Sequence, residues 1–363
     1  SYSMKLYDCR RRKSPTAFLK AGFIMGSLKN LTARVKSMSL KRMNMYISRI
    51  HENYGANRVS TAADMCVCAL KYGIGYLDYT VFGFAKVKGK NRGTFLTYNK
   101  NAALSKQANN PEFTCMFKDK LKFNEAFSDF IGREWINLEK ADEKKFKDFC
   151  KKHKTVFAKY PRSFGGQMIK KVDSDDNTDF NSLYNELKSN GQVLIEQKIE
   201  QHKKMNELCP RSVNSVRIVT LRDKNGDVHY LYSLLRFGNG TKDVDNITSG
   251  GMYILLDKNG KSASRAFCDK TGLFYDKHPL TGVDVTSFEV PMHKEAVDLC
   301  KKGADVVPEV GYIGWDAAIT ADKPVLIEGN VLPGYDMFQN YSLSGKDIGI
   351  LPEIHKIPGY EML

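Results

Sequence analysis

The spacing of apolar positions changes along the chain, from a helical period in the first hundred residues to a mixture of periods further on. Apolar side chains recur at helical spacing over residues 31–54, and Gly55 follows as a C-cap. Two more helices are predicted, over residues 61–72 with Ser60 as the N-cap, and over residues 77–84. The first hundred residues are therefore predicted to be helical.

From about residue 112 the pattern alternates between short strands and helices. The predicted elements are strands at 113–117, 155–159 and 193–199, helices at 120–131, 140–152, 181–188 and 292–303, and hairpins pairing 215–222 with 228–237 and 252–257 with 260–267. Two further strands are predicted near the C-terminus. This mixture predicts an α+β fold with antiparallel sheets after a helical N-terminal region.

The composition is that of an ordinary globular protein, with 363 residues of which 42% are hydrophobic and 27% charged. No apolar run approaches the ~20 residues of a membrane span. Lys20 interrupts the apolar stretch 17–28, and no small-residue cleavage site follows it, so no signal peptide is expected. Of the eight cysteines only Cys66 and Cys68 are close together, and this spacing is not that of a zinc site. Scattered cysteines favour a cytoplasmic, reducing location.

Positive charge is concentrated at the N-terminus. The net charge is +15, and residues 1–50 contain twelve Lys and Arg against the single acid Asp8. Such a segment predicts an anionic partner, which could be nucleic acid, an anionic membrane surface or a phosphate-bearing substrate. A solvated helix face is the alternative explanation and the commoner one.

The two C-terminal strands carry the most informative polar residues. The first contains Gly314-Trp315-Asp316, and the second places Glu328 and Asn330 two residues apart, so that both face the same side. Oxygen ligands of this kind suit Mg²⁺, which is usually bound by few carboxylates together with phosphate oxygens. A structural alternative exists, because Asp and Asn are common where strands end and turns begin. Glu328, however, interrupts an apolar run, where burial of an unpaired carboxylate costs free energy.

Two lysines are candidate phosphate ligands. Lys159 ends a predicted strand, and the loop after it contains Gly165 and Gly166, whose backbone N–H groups can approach phosphate oxygens. Lys120 opens a predicted helix and is a second candidate for the α- or β-phosphate. Each signal has a plain structural alternative, because most Gly-Gly pairs are only turns.

A nucleotide base and its ribose also have candidate positions. The apolar strand before residue 200 turns polar at Glu196 and Gln197, and backbone groups at the end of such a strand can pair with the edge of an adenine. Gln201 and His202 follow and can reach a ribose. A lone histidine is more often structural or solvated.

Two arginines are predicted to lie on neighbouring strands. Arg217 falls within a β-branched run, where an arginine needs an anionic partner, and Arg236 on the paired strand is expected to face the same side. Each can form a structural salt bridge. Near a Mg²⁺ site they instead favour charge stabilisation during phosphoryl transfer.

Taken in order, these segments resemble the ATP-grasp superfamily. The closest resemblance is to its sugar-transfer-associated branch, which is related to α-L-glutamate ligases, and it extends over about residues 70–340. The residues that carry it are Lys159, Gly165, Gly166, Glu196, Ile199, Gln201, His202, Arg217, Gly250, Gly251, Gly314, Trp315, Asp316, Glu328 and Asn330, with the segments 212–217 and 245–246.

The resemblance implies two α+β lobes that grip ATP between them. The expected division is a basic helical region at 1–105, a lobe at 106–200 carrying Lys159, and a lobe at 201–363 carrying the metal residues. It also implies ATP- and Mg²⁺-dependent ligation of a small carboxylate to an amine or thiol through an acyl-phosphate, with a saccharide or sugar precursor as one candidate substrate. Lys159 and Lys120 would then bind the phosphates, and Glu196, Gln197 and Ile199 would bracket adenine.

One departure from the superfamily pattern concerns the ribose. Lys203 and Lys204 lie where many ATP-grasp enzymes carry a ribose-binding acid, so Gln201 or His202 is expected to substitute. Two other functions remain open from the sequence. One is a small-molecule kinase that stops at phosphoryl transfer, and the other is a non-enzymatic basic protein that binds an anionic partner. No recognisable nucleic-acid-binding module is present, which disfavours nucleic acid as that partner.

Overall fold

The computed structural model of the protein describes residues 40–163, 169–240 and 250–363. The described helices are α1 (Leu40–Tyr54), α2 (Arg58–Tyr72), α3 (Tyr76–Val81), α4 (Tyr98–Ala108), α5 (Cys115–Lys118), α6 (Lys120–Ala126), α7 (Ser128–Ile131), α8 (Glu143–His153), α9 (Phe180–Ser189), α10 (Lys203–Leu208), α11 (His293–Ala304), α12 (Tyr341–Ser344) and α13 (Leu351–Ile354). The strands are β1 (Trp135–Asn137), β2 (Thr155–Lys159), β3 (Ile169–Asp173), β4 (Leu194–Gln197), β5 (Ser215–Arg222), β6 (Val228–Phe237), β7 (Met252–Leu255), β8 (Ala266–Cys268), β9 (Leu273–Tyr275), β10 (Tyr312–Ile319) and β11 (Pro324–Asn330).

The described strands form two antiparallel sheets. The smaller sheet has the order β1-β4-β2-β3, and the larger has the order β11-β10-β5-β6-β7-β8-β9. Every strand pair is antiparallel. Helices α1 to α4 precede both sheets, so the predicted α+β fold with antiparallel sheets after a helical region is confirmed.

The larger sheet is buried on both faces, which explains the long apolar runs of its central strands. One face packs against α11 and the helices α5 to α7, with Trp315 among the side chains at its centre. On the other face, Val219 and Tyr312 pack with α4 and the C-terminal segment. Arg217 and Asp316 lie on that same second face by strand alternation, so the polar residues begin where the apolar cluster ends.

The apolar core of the smaller sheet lies on one of its sides. Phe146 and Phe149 of α8 pack with Leu187 of α9 and Ile195 of β4 against that side. Burial alternates along β2, which leaves Lys159 on the opposite and more open face. The sheet therefore presents Lys159 away from its own core.

Two local predictions are wrong. The segment 113–117 is not a strand, because Phe117 turns inward from α5 and packs with Phe123 and Phe127. Ser60 is not the N-cap of α2, since the side chain of Asn57 accepts from the backbone N–H of Ser60 and the helix begins earlier. Both errors arise from side-chain contacts that outweigh the local pattern.

The N-terminal helices form a core of their own, in which Ile47, Ile50, Phe82 and Phe84 are buried. The basic cluster and the apolar stretch before residue 40 lie outside the described residues. The predicted division at residues 105 and 200 stays a prediction; α5 to α7 pack on the larger sheet, and α6 also contacts the smaller one through Leu121 and Asn124. In the part of the chain that the structure describes, no helix has the length and apolar character needed to cross a membrane.

Candidate functional site

Five polar side chains lie along one face of the larger sheet. Asp316 on β10 is the cross-strand partner of Arg217 on β5 and of Glu328 on β11. Asn330 pairs with Gly314, two residues before Asp316, and Arg236 pairs with Ser215, two residues before Arg217. Because alternate residues of a strand share a face, Arg236, Arg217, Asp316, Glu328 and Asn330 all point to the same side.

Asp316 is the centre of this row. Its carboxylate accepts from Arg217 Nε at 2.5 Å and Nη2 at 3.0 Å, and from Arg236 Nη1 at 3.2 Å to each oxygen. Burial by itself raises the pKa of Asp316, but the two guanidinium groups outweigh it and lower the pKa to about 2. The carboxyl group is therefore ionised and holds both arginines in place.

Gly314 and Trp315 support this arrangement from the backbone. A Cβ on Gly314 would lie 2.6 Å from Cβ of Pro333 and 3.3 Å from Cδ of Arg217, so the glycine leaves space for both side chains. Trp315 points to the opposite face and donates from Nε1 to the hydroxyl of Thr220 at 2.9 Å. Along this strand, Gly314 therefore leaves space for neighbouring side chains, Trp315 packs in the core on the opposite face, and Asp316 supplies a negative charge.

Glu328 and Asn330 lie beside Asp316 in a more open position. Lys120 Nζ is 3.7 Å from Oε2 of Glu328 and donates to the backbone oxygen of Ser163 at 2.5 Å. Asn330 Nδ2 lies 3.4 Å from the carbonyl oxygen of Gly314. Lys120 therefore connects the metal-ligand candidates on β11 with the loop that follows β2.

Glu196 is the corresponding centre on the smaller sheet. Its fully buried carboxylate contacts Lys159, accepts from Asn124 Nδ2 at 2.7 Å, and accepts from Arg133 Nε at 2.9 Å and Nη2 at 2.7 Å. Burial raises the pKa of Glu196, but Arg133 and Lys159 more than offset this and lower the pKa well below its usual range. Lys159 is thereby fixed at the open face of the sheet.

Arg133 joins the two sheets and was missed by sequence reasoning. In addition to its contacts with Glu196, Arg133 donates from Nη1 to the carbonyl of Leu326 at 2.7 Å and from Nη2 to the carbonyl of Ile327 at 3.2 Å. Both carbonyls lie on β11, just before Glu328. The sequence holds no local signal for this role, because Glu196 and the two β11 carbonyls are 63 to 194 residues away from Arg133.

Several positively charged side chains are gathered at the site. Cations outnumber carboxylates by five to three among its paired residues, which are Lys120, Arg133, Lys159, Arg217 and Arg236 against Glu196, Asp316 and Glu328. Clustered Lys and Arg side chains of this kind attract an anionic ligand. Such a site suits a polyphosphate better than a neutral ligand.

The sequence matches the family model for sugar-transfer associated ATP-grasp proteins over residues 99–346. The protein belongs to this ATP-grasp family. The match includes both sheets and all the site residues above. A search of curated proteins finds no match.

Solved ATP-grasp structures resemble the chain only distantly. The ligase PsnB with its minimal precursor is 14% identical, with a TM-score of 0.40, and the match covers 68% of this chain and 62% of PsnB. The D-alanine–D-alanine ligase from Coxiella burnetii is 11% identical, with a TM-score of 0.37 and coverage of 61% and 50%. N5-carboxyaminoimidazole synthetase from Staphylococcus aureus, complexed with ADP, is 8% identical, with a TM-score of 0.40 and coverage of 64% and 52%. The chain spans about half to three fifths of these proteins.

The residues expected to bracket adenine and ribose lie at the end of β4 and in the segment that follows it. The side-chain oxygen Oε1 of Gln197 accepts a hydrogen bond from the backbone N–H of Glu134 at 3.1 Å, and Ile199 is half-buried. The amide of Gln201 donates to the carbonyls of Cys209 and Ser212 at 3.0 and 2.9 Å. These contacts account for Gln201 as a structural residue, and its ribose role stays a prediction.

His202, the second residue expected to contact the ribose, lies at the start of α10. Nδ1 of His202 accepts from the N–H of Lys204 at 3.1 Å, which makes it the N-cap of α10. Gly165 and Gly166 lie outside the described residues. Their predicted contact with phosphate is therefore left as a prediction, as is the adenine contact of Ile199.

The donor set fits a magnesium ion shared with phosphate. Glu328 and Asn330 supply oxygens on one face, and among described residues no three His, Cys, Asp or Glu side chains form a protein-only metal cluster. Mg²⁺ typically uses one or two carboxylates together with phosphate oxygens. Asp316 fits less directly, because direct coordination would have to displace one of its arginine contacts, of which the 3.2 Å contacts to Arg236 are the longer.

Proposed function

We propose that this protein is an ATP-dependent ligase that joins a small carboxylate to an amine or thiol through an acyl-phosphate. The products besides the ligated compound would be ADP and phosphate. The observation that carries the proposal is the polar row on the larger sheet, where Asp316 holds Arg217 and Arg236 beside Glu328 and Asn330.

The two lysines are the proposed phosphate contacts. Lys120 lies within reach of both Glu328 and the loop after β2, and Lys159 ends the strand that leads into that loop. Both ammonium groups have carboxylate partners that keep them in position, as seen for Lys159 against Glu196. A triphosphate placed between them would meet fixed charges rather than mobile side chains.

Arg217 and Arg236 are the proposed stabilisers of the transferring phosphoryl group. Their shared anchor Asp316 is buried, which keeps the guanidinium groups on one face of the sheet. Preorganised cations of this kind stabilise negative charge that develops during transfer, without reorganisation at that moment. Glu328 and Asn330, and Asp316 if a guanidinium moves, would hold Mg²⁺, which neutralises phosphate charge when bound.

A sugar-linked substrate is the proposed specificity. It is supported by the description of the family, sugar-transfer associated ATP-grasp, which matches residues 99–346. A carboxylate is a poor electrophile, and phosphorylation turns one of its oxygens into a leaving group for the incoming amine or thiol.

The test is a screen for ADP release in which carboxylates, including sugar acids, are crossed with amines, thiols and amino sugars. We expect ADP and phosphate to appear only when one carboxylate and one nucleophile are both present. The variant Glu328→Gln should abolish this turnover and keep the fold. A phosphorylated product that forms without any nucleophile would instead identify a kinase and contradict the ligase assignment.

A further inference from the structure

Helix α2 has apolar side chains on two opposite sides. Its inner side is buried in the N-terminal core and includes Thr61, Met65 and Cys68. Its outer side follows the spacing i, i+4, i+7, i+8, i+11 and is exposed along the whole helix. We call this the outer stripe of α2, and it consists of Val59, Ala63, Cys66, Val67 and Leu70.

The exposure of the outer stripe is large for apolar residues. Val59, Val67 and Leu70 are 79%, 55% and 67% exposed, although isolated apolar residues on a surface are common. A continuous stripe at helical spacing is different, because it forms one contiguous surface that water contacts at a cost. Such a surface indicates a partner.

The charge around the stripe indicates the chemistry of that partner. The described N-terminal residues 40–105 contain ten Lys and Arg against three acids, a net charge of +7. Arg58 and Lys71, at the two ends of α2, are both exposed. The partner must therefore accept apolar side chains and offer negative charge.

Acidic side chains do not interrupt this surface in the described N-terminal helices. Asp64 is turned away from the stripe and pairs with Arg92 and Lys88 at 2.5 and 3.3 Å. Asp78 is buried, which leaves Glu52 of α1 as the exposed acid of residues 40–105. An anionic surface would thus meet few repulsive charges here.

We propose that the outer stripe of α2, with the exposed basic residues of segment 40–105, docks on the surface of an anionic lipid bilayer. Apolar side chains of an interfacial helix enter the boundary of headgroups and acyl chains, while Lys and Arg contact lipid phosphates. Nucleic acid would satisfy the charge but offers little to an apolar stripe. A second copy would bring two strongly basic regions together, which is unfavourable.

The first test is co-sedimentation of the full chain with vesicles of phosphatidylcholine alone or with about one third phosphatidylglycerol. We expect binding to the anionic vesicles, and loss of most of it when NaCl is raised from about 0.1 to 0.5 M. Val67→Ser/Leu70→Ser should weaken binding about tenfold or more, because two apolar side chains no longer enter the bilayer. The matched control Leu273→Ser/Ile348→Ser, at similarly exposed sites elsewhere, should bind like the unmodified chain.

The second test uses Cys66 as a probe inside the stripe. Maleimide labelling resolved by peptide mass spectrometry should modify Cys66 in buffer and show protection with anionic vesicles, since this thiol is exposed. An unreactive Cys66 in buffer would mean that residues 1–39 or a second copy cover the stripe, and would overturn the proposal. So would vesicle binding that the stripe variant leaves unchanged, or binding to duplex DNA without binding to vesicles.

Discussion

Arg133 donates to the backbone carbonyl of Leu326 at 2.7 Å. This hydrogen bond connects the segment just before β1 of the smaller sheet with β11, the strand that carries Glu328. The same guanidinium group holds the buried carboxylate of Glu196, which in turn contacts Lys159. The phosphate-binding candidate on one sheet and the metal-ligand candidates on the other are therefore positioned by one side chain.

Replacement of Arg133 should strongly destabilise the fold. Arg133→Met would leave Glu196 buried with Lys159 as its remaining cation, and removal of one partner from a buried ion pair costs about 3–5 kcal/mol. Urea denaturation measures the free energy of unfolding. The double variant Arg133→Met/Glu196→Gln should recover part of the loss, whereas a loss under about 1 kcal/mol in the single variant would show that the pair is not coupled to folding.

Lys120 should matter for ATP but not for stability. Its side chain lies 3.7 Å from Glu328 and contacts the loop after β2, so Lys120→Ala should raise the KM for ATP roughly tenfold. Lys118, two residues earlier and exposed, provides the control: Lys118→Ala should leave KM unchanged. Equal effects of the two changes would indicate a general loss of charge instead of a specific contact.

Gly314→Ala should disturb Arg217 through space alone. The new Cβ would lie 2.6 Å from Pro333 and 3.3 Å from Cδ of Arg217, and overpacking of this kind costs about 1–3 kcal/mol. We expect a lower melting temperature together with slower ATP turnover. Gly93→Ala is the matched control, since a Cβ there meets nothing within 4 Å. Normal turnover in Gly314→Ala would argue against the placement of Arg217.

Asp78 should make the protein less stable as the pH rises from about 4 to 6. Burial is the main cause that raises the pKa of Asp78 from 3.8 to about 6, even though the hydroxyl of Tyr335 donates to it at 2.9 Å. The unfolded chain therefore loses this proton at a lower pH than the folded chain, and stability falls across that interval.

Asp78→Asn imitates the protonated form and should remove this pH dependence. The variant should be more stable than the unmodified protein at pH 7, by on the order of 2 kcal/mol, and about equally stable at pH 4. Thermal denaturation at the two pH values is the measurement. A stability difference that does not change with pH would mean that Asp78 is ionised in the folded protein at both values.

The central strands could be predicted well from the sequence. The hairpin of β5 and β6 has the predicted bounds, because β-branched alternation and an Asn-Gly turn act locally and agree with the final packing. The row that contains Asp316 and Glu328 was also predictable, since strand alternation fixes which residues share a face.

The sequence was insufficient where a contact joins distant segments. Phe117 lies in an apolar pattern that suits a strand, yet its packing against Phe123 selects a short helix. Arg133 has no recognisable motif, and its function as a connection between sheets depends on residues far along the chain. That Asp316 holds two arginines at once likewise follows from the register of β5, β6 and β10, and not from any single motif.

Calorimetric titration of the protein with ATP, in the presence of Mg²⁺ and again with EDTA, tests the proposed nucleotide site. We predict Mg²⁺-dependent binding that Glu328→Gln abolishes and that Lys159→Ala weakens by at least about tenfold, with the far-ultraviolet circular dichroism of both variants unchanged. Binding of equal strength in the two variants and the unmodified protein would contradict the account.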